Sequence, residues 1–311
     1  STLLKNIIGS NKTIIIDKAQ RIENIGLCIK LIYDNMENVK VIATGSSAFE
    51  LSNKINEPLT GRKWEYNLYP ISFAEMVGET SLLEEKRLLS QRLIYGYYPE
   101  IVNNPGQEEE LLRELSDSYL FKDLLTWERI QKPDKLEKLV QALALQIGQL
   151  VSYHDIGQLC GLNSETVERY IDLLEKSFIV FRLTAFSRNL RNELKKSNKI
   201  YFYDNGMRNA VINQFNSIEL RNDNGQLWEN WFASERRKYL NNTKQKKNLY
   251  FWRTLAQQEI DLIEVGNNKI TAFECKWNQK AKGLISKSFT NAYPEAETHF
   301  IHPGNYDNFL I

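Results

Sequence analysis

Cysteine is scarce. The chain has 311 residues and three cysteines, Cys28, Cys160 and Cys275, set apart in apolar surroundings with no CxxC spacing. That excludes a disulfide framework and a cysteine zinc site, and it points to a reducing compartment. Histidine is as rare: His154, His299 and His302 are too few and too dispersed for a catalytic triad or a histidine metal site. The last two, close to Pro303, are expected at the surface. No apolar run approaches the roughly 20 residues of a membrane span, and no signal-like stretch opens the chain, so the expected location is the cytoplasm. Net charge carries no message either. Forty basic residues face thirty-nine acidic ones, a formal charge of +1, so only local patches can select a charged partner. What remains, 42% hydrophobic and 25% charged, is enough for two or three cores.

The stretch Thr13 to Ile22 gives the first organised signal. Ile14, Ile15 and Ile16 end in Asp17. Three branched apolar residues before an acid predict a strand buried on both faces that delivers a carboxylate at its C-terminal edge, where ligands sit in open α/β sheets. Asn24 to Asn35 is suited to a helix, and Val39 to Ala43 is a second apolar run followed by Thr44, Gly45, Ser46 and Ser47. The spacing predicts a βαβ crossover that brings these hydroxyls beside Asp17.

With IIIDKAQRI, VIATGSS, LTGRKWEYNLYPISFAE and a later EIDLI…FECK in this order, nearly the whole chain resembles a bacterial and archaeal family of AAA-type ATPases that carry a C-terminal domain of unknown function. The resemblance implies Asp17 as the Mg²⁺ acid, Ser46 as a polar sensor and Arg62 as a phosphate-sensing arginine, with ATP and Mg²⁺ as cofactors. Two departures weaken hydrolysis. Gly9-Ser10-Asn11-Lys12-Thr13 lacks the glycine before the lysine and leads into a strand, so it is not a P-loop; the resemblance places the P-loop before Ser1. Lys18 stands where the family has Glu, and a lysine cannot polarise an attacking water as a carboxylate does. ATP turnover by this chain is not expected.

Met76–Ile94 and Gln107–Thr126 read as helices, with Leu82, Leu83, Leu88, Leu89 and Leu93 as one apolar set. They match a helical lid. From Lys135 three amphipathic helices follow, the second and third separated by Gly161, and then strand-like runs at Phe178–Leu183 and Lys199–Tyr203. This is the outline of a winged helix-turn-helix. Its third helix carries Glu165, Glu168, Asp172 and Glu175 against Arg169 and Lys176, which argues against major-groove reading. The basic segment 188–199 is either a nucleic-acid contact or a solvated turn.

The sharpest chemistry comes last. A helix carrying Glu229 precedes an aromatic strand at Leu249–Arg253. Then Glu259–Glu264 and Ile270–Trp277 form two strands around a short polar turn. Asp261, then Glu274 and Lys276 on one face of a strand, outline a PD-(D/E)xK nuclease core. Asp261 and Glu274 are the expected ligands of Mg²⁺ or Mn²⁺. Glu229 and Lys276 are the expected catalytic residues, Lys276 orienting or helping to deprotonate a water. The alternative is a salt-bridge cluster on a scaffold that no longer cuts. The basic segment 236–247 is either a funnel for nucleic acid or a solubilising run.

The expected architecture is therefore multi-domain α/β and α. It comprises a truncated P-loop AAA-type core (1–78), a helical lid (79–134), a winged helix (135–212) and a restriction-endonuclease-like domain (213–311). The expected function is ATP binding without hydrolysis, in association with nucleic acid. The alternatives are a metal-dependent nuclease and a non-catalytic interaction protein.

Overall fold

The computed structural model describes residues 2–10, 12–45, 59, 61–117, 132–187, 198–254, 256–280 and 285–311. The chain divides into two compact units, Ser1–Asn67 with Lys176–Phe178, and Leu68–Glu175 with Ile179–Ile311.

In the first unit a short helix α1 (Thr2–Ile8) precedes β1 (Thr13–Ile16), α2 (Ile25–Asn35) and β2 (Lys40–Ala43). The strands pair in parallel from Thr13↔Lys40 to Ile16↔Ala43, the βαβ crossover that the spacing predicts. Ile25 and Ile29 of α2 pack with Ala19, Leu59, Ile16 and Val41. The expectation of a strand buried on both faces is corrected: Ile15 is 68% exposed and Ile42 38%. The helix covers one face, and among the described residues of this unit nothing covers the other.

The second unit begins with helices. Ser72 and Glu75 form a reciprocal capping box that starts α3 (Phe73–Glu79) and satisfies two free N–H groups of the first turn. The single helix predicted over 76–94 is in fact three: α3, α4 (Leu82–Arg87) and α5 (Leu89–Tyr95). Ser81 accepts the Glu84 N–H at 3.1 Å and so opens a new helix. The restart turns Leu83 out to solvent, 81% exposed, although the period had assigned it to the core. Next come α6 (Pro99–Asn103) and α7 (Glu108–Leu115); residues 118–126 of the expected second helix lie outside the described residues.

A helical module follows: α8 (Pro133–Leu145), β3 (Leu150–Val151), α9 (Tyr153–Cys160), α10 (Ser164–Lys176), β4 (Val180–Ala185) and β5 (Asn198–Phe202). Gly161 closes α9 in the left-handed region, φ +65°. Asn163 caps α10 by accepting the Thr166 N–H at 2.8 Å. The three strands pair antiparallel in the order β3-β5-β4.

This small sheet does not stop at residue 212. β4 pairs in parallel with β6 (Asn248–Arg253). The sheet then continues through β7 (Glu259–Gly266), β8 (Lys269–Cys275) and β9 (Glu297–Ile301), seven strands in all among the described residues. The boundary expected at 212/213 thus falls inside one sheet. Buried amides reinforce the joint. Asn230, on α12 (Asn224–Asn242), accepts the Phe202 N–H at 2.7 Å and donates to Asn205 Oδ1 at 2.6 Å. Asn205, on α11 (Asn205–Val211), donates in turn to the Leu93 carbonyl of α5 at 3.1 Å. Each bond satisfies a group that would be costly to bury alone. α12 is therefore a central helix, with Trp228, Phe232, Glu235, Arg236 and Lys238 all buried.

Candidate acidic site in the second unit

β7 and β8 form a hairpin in the register Gly266↔Lys269 through Leu262↔Phe273. The turn is Asn267-Asn268, with φ of 52° and 58°, the left-handed pair that a two-residue hairpin turn demands and that asparagine tolerates. Continuing the register by one residue sets Asp261 opposite Glu274. The pairing of β7 with β6 slips at this point, from Tyr250↔Ile263 to Trp252↔Ile260. The slip is a β-bulge, and it re-aims a side chain. Ile260 and Ile263, three apart, both enter the cluster around Trp252 and Phe289. Asp261 leaves that alternation and accepts the Cys275 N–H at 2.8 Å.

β5 supplies the rest. Lys199 and Tyr201, two apart on one strand, both reach Glu229 of α12: Lys199 Nζ lies 2.9 Å from Glu229 Oε1, and the Tyr201 hydroxyl donates to the same oxygen at 2.5 Å. The Lys199 ammonium also pairs with Glu259 and stands 4.0 Å from Asp261 Oδ1. Its side chain is 1% exposed. Glu259 is shared with Arg253 at 3.1 Å. Lys276 donates to Glu274 Oε1 at 2.7 Å, while Glu274 Oε2 is buried and has no hydrogen-bond partner.

The titration of the site follows from burial and from this crowd of carboxylates. Burial, then the charges of Glu229 and Glu274, push the Asp261 carboxyl well up; Lys199 and the Cys275 N–H oppose them. Burial also raises Glu274, against the pull of Lys276. For Lys199 burial works toward the neutral form, but Glu229, Asp261 and Glu259 outweigh it and hold the ammonium charged. Lys276 follows the same logic, lowered by burial and raised more strongly by Glu274. A lysine held protonated cannot take a proton from water. Lys276 is thus already committed to Glu274 within the site.

The structure brings Glu229, Asp261, Glu274 and Lys276 into one neighbourhood and adds Lys199, Glu259 and Tyr201. In the sequence Lys199 is the last residue of the basic segment 188–199. The signal that could have singled it out is a lysine at the head of the apolar run Ile200-Tyr201-Phe202, two residues before a tyrosine of the same face. A divalent ion does not fit this arrangement. The Lys199 ammonium stands among the oxygens that would hold it, and among the described residues no group of three or more His, Cys, Asp or Glu is disposed to bind a metal ion.

In the first unit Asp17 follows β1 at the C-terminal strand edge, and its Oδ1 accepts the Thr44 hydroxyl at 2.6 Å. That bond, with the Lys18 N–H and nearby basic charge, lowers the Asp17 pKa. Lys18 takes up the left-handed region, φ 49°. Ser46 lies outside the described residues. Arg62 pairs with Asp34 at 2.8 Å. Asp34 ends α2, and a crossover helix returns to the N-terminal edge of the strands. Arg62 is thus held at the end of the unit opposite Asp17 and does not join it.

The basic segments need correction. Arg236 is buried and makes a two-pronged pair with Glu264 at 2.6 and 2.8 Å. Arg237 lies over the rings of Phe181 and Tyr203. Lys238 is buried against Glu235 at 2.7 Å. Lys247 also binds Glu264, at 3.0 Å. Only Lys244 and Lys246 of this run remain exposed without a role in the packing. Of the segment 188–199, residues 188–197 lie outside the described residues and Lys199 is buried. His299 is likewise no surface residue of a terminus: it sits in β9, half-buried between Phe273 and Phe309.

Residues 1–77 match the family model of an AAA domain, residues 86–218 that of a domain of unknown function (DUF8612), and residues 224–309 that of another (DUF4143). An uncharacterized protein of Haemophilus influenzae is 28% identical over 185 residues, 56% of this chain and 46% of its own length. An uncharacterized protein of Mycobacterium tuberculosis is 24% identical over 307 residues, 96% of this chain and 66% of its own. The chain thus spans between about half and two thirds of the curated relatives it matches. A crystal structure of a Vibrio cholerae protein aligns over 96% of this chain and 90% of its own, at 14% identity and a TM-score of 0.19. Residues 1–77 are thus similar to an AAA domain and residues 224–309 to a domain of unknown function. No helix among the described residues is long and apolar enough to cross a membrane.

Proposed function

We propose that this chain forms part of an ATP-binding AAA-type protein in which Asp17 is the acid that holds nucleotide-bound Mg²⁺. The observation that carries this reading is the Thr44–Asp17 hydrogen bond at the C-terminal edge of two parallel strands. It fixes a carboxylate, kept ionised, where ligands of open α/β sheets bind. The donor set fits the ion, because a hard cation prefers such an oxygen. Bound Mg²⁺ would neutralise phosphate charge. Thr44 orients the carboxylate, and Lys18 contributes positive charge in place of a base for water, so the reading is binding without turnover. The test is thermal unfolding with Mg²⁺·ATP, with ATP plus EDTA, and with the Asp17→Asn variant. Stabilisation by Mg²⁺·ATP that Asp17→Asn loses, with no phosphate release, is the expected outcome. No stabilisation, or equal stabilisation of both proteins, refutes it.

A second reading rests on the convergence of Glu229, Asp261, Glu274 and Lys276, which supports a winged-helix-like module joined to a nuclease-like sheet. We take this as a scaffold that binds and does not cut. The check is cleavage of single- and double-stranded DNA in Mg²⁺ and Mn²⁺, with Asp261→Ala purified in parallel. Neither protein is expected to cut. Cutting that vanishes in the variant would make the chain a metal-dependent nuclease.

A further inference from the structure

We infer that the cleft between the end of α12 and β6 is a binding site for a small phosphomonoester, with Arg237 holding the phosphate. The cleft belongs to neither site described above. β6 pairs with β4 only from Tyr250 onward. The residues before it, Lys247, Asn248 and Leu249, line a cleft of about 450 Å³ together with Arg237, Leu240 and Asn241 of α12. The three helix residues stand at i, i+3 and i+4 and so share one face of its last turns. The volume is within the roughly 300–1,000 Å³ of small-molecule sites.

Charge points to the class of ligand. Of three consecutive cations on α12, Arg236 has Glu264 and Lys238 has Glu235. Arg237, between them, has no carboxylate partner among the described residues. Its partners are the hydroxyls of Tyr69 and Tyr203. Its guanidinium lies 5.0 and 5.5 Å over the Phe181 and Tyr203 rings, and its buried Nε has no hydrogen-bond partner. Burial works toward the neutral form, but the two tyrosines outweigh it and the guanidinium stays charged. Lys247, just before β6, shares Glu264 with Arg236. Three cations thus face one carboxylate, and no acid lines the cleft among the described residues. That surplus of positive charge calls for a dianion. A guanidinium with donors to spare matches a phosphate better than it matches a single carboxylate. Asn241, Gln245 and Asn248 supply neutral amides, while Tyr69, Leu249 and Tyr250 offer apolar surface to the body that carries the phosphate.

The experiment is isothermal titration calorimetry of the full chain with phenyl phosphate, dianionic at about pH 7.5, and with inorganic phosphate. Arg237→Met keeps the stem and drops the guanidinium. Asn248→Asp, at an exposed position, sets a carboxylate on the cleft wall. The wild-type chain should bind phenyl phosphate at least about tenfold more tightly than inorganic phosphate, and each variant should weaken phenyl phosphate at least about tenfold. Lys244→Met, exposed and outside the cleft, should bind as wild type does. Where Arg237→Met does not fold, Asn248→Asp decides alone. No binding by wild type overturns the inference, and so does undiminished binding by Asn248→Asp or by a folded Arg237→Met. Inorganic phosphate held as tightly as phenyl phosphate overturns it too, because the cleft walls then contribute nothing. A loss in Lys244→Met equal to that in Asn248→Asp would reveal unspecific surface charge and overturn it as well. Neither ATP nor a metal ion enters the titration, so failure here is distinct from failure of the nucleotide reading at Asp17.

Discussion

Arg236→Met separates a packing role for the basic run of α12 from a nucleic-acid role. Arg236 is 6% exposed and Glu264 1%, and they are joined by two parallel bonds. Removing one partner of such a pair typically costs about 3–5 kcal/mol, because the other charge stays buried. Lys247 still reaches Glu264 at 3.0 Å, which favours the lower end. The guanidinium also lies over Tyr239 at 4.7 Å and Phe273 at 5.3 Å, contacts worth roughly 0.5–1 kcal/mol each. The expected loss is therefore about 4 kcal/mol. With a urea slope of about 2–3 kcal/mol per molar, the midpoint should fall by more than about 1 M. Tryptophan fluorescence reads it, since Trp228 and Trp231 stack on the same helix. Adding Glu264→Leu should recover part of the loss, and Lys244→Met, at an exposed position, should leave the midpoint unchanged. An Arg236→Met midpoint matching wild type, or a double variant as unstable as the two losses summed, would refute the reasoning.

Gly206→Ala should prevent folding of the second unit: its Cβ would lie 2.1 Å from the Tyr95 carbonyl oxygen, a backbone atom that cannot move aside; soluble expression and circular dichroism decide this. Asn230→Ala should cost about 2–4 kcal/mol in urea unfolding, because the Phe202 N–H loses its acceptor inside the core. Asp261 has a raised folded-state pKa, so the folded protein binds the extra proton, and stability falls as pH rises from the ordinary value of 3.8 through the folded one. Asp261→Asn should flatten that decline in unfolding temperature measured from pH 4 to 8; an unchanged slope would show that the group titrates normally.

Much of the secondary structure could be read in advance, because it rests on local chemistry. The βαβ spacing around α2, the Asn163 cap, the Gly161 turn and the Asn267-Asn268 hairpin are each decided within a few residues. The same holds for the acid spacing on β7 and β8. What escaped reading depends on distant partners. The restart at Ser81 needs the tertiary setting that lets Leu83 point to water. Arg236 and Lys238 look like surface residues until Glu264, 28 positions later, and Glu235 supply counter-charges inside the core. Lys199 finds Glu229, Glu259 and Asp261 only because β5 and β7, separated by two strands in the order β5-β4-β6-β7, share one sheet with α12 beside it. The bulge that frees Asp261 leaves no mark in a period-two pattern.

The parallel pairing of β4 with β6 also sets an order of events during synthesis. Thr184 and Ala185 meet Tyr250 and Phe251, so the outer edge of β4 waits for chain made some sixty-six positions later, roughly 3–13 s at ribosomal speed. Over that interval Thr184 and Ala185 leave an open strand edge at the end of β4. Such an edge attracts neighbouring chains on a polysome. The pairing of Tyr250 and Phe251 with β4 is thus also the step that ends this exposure.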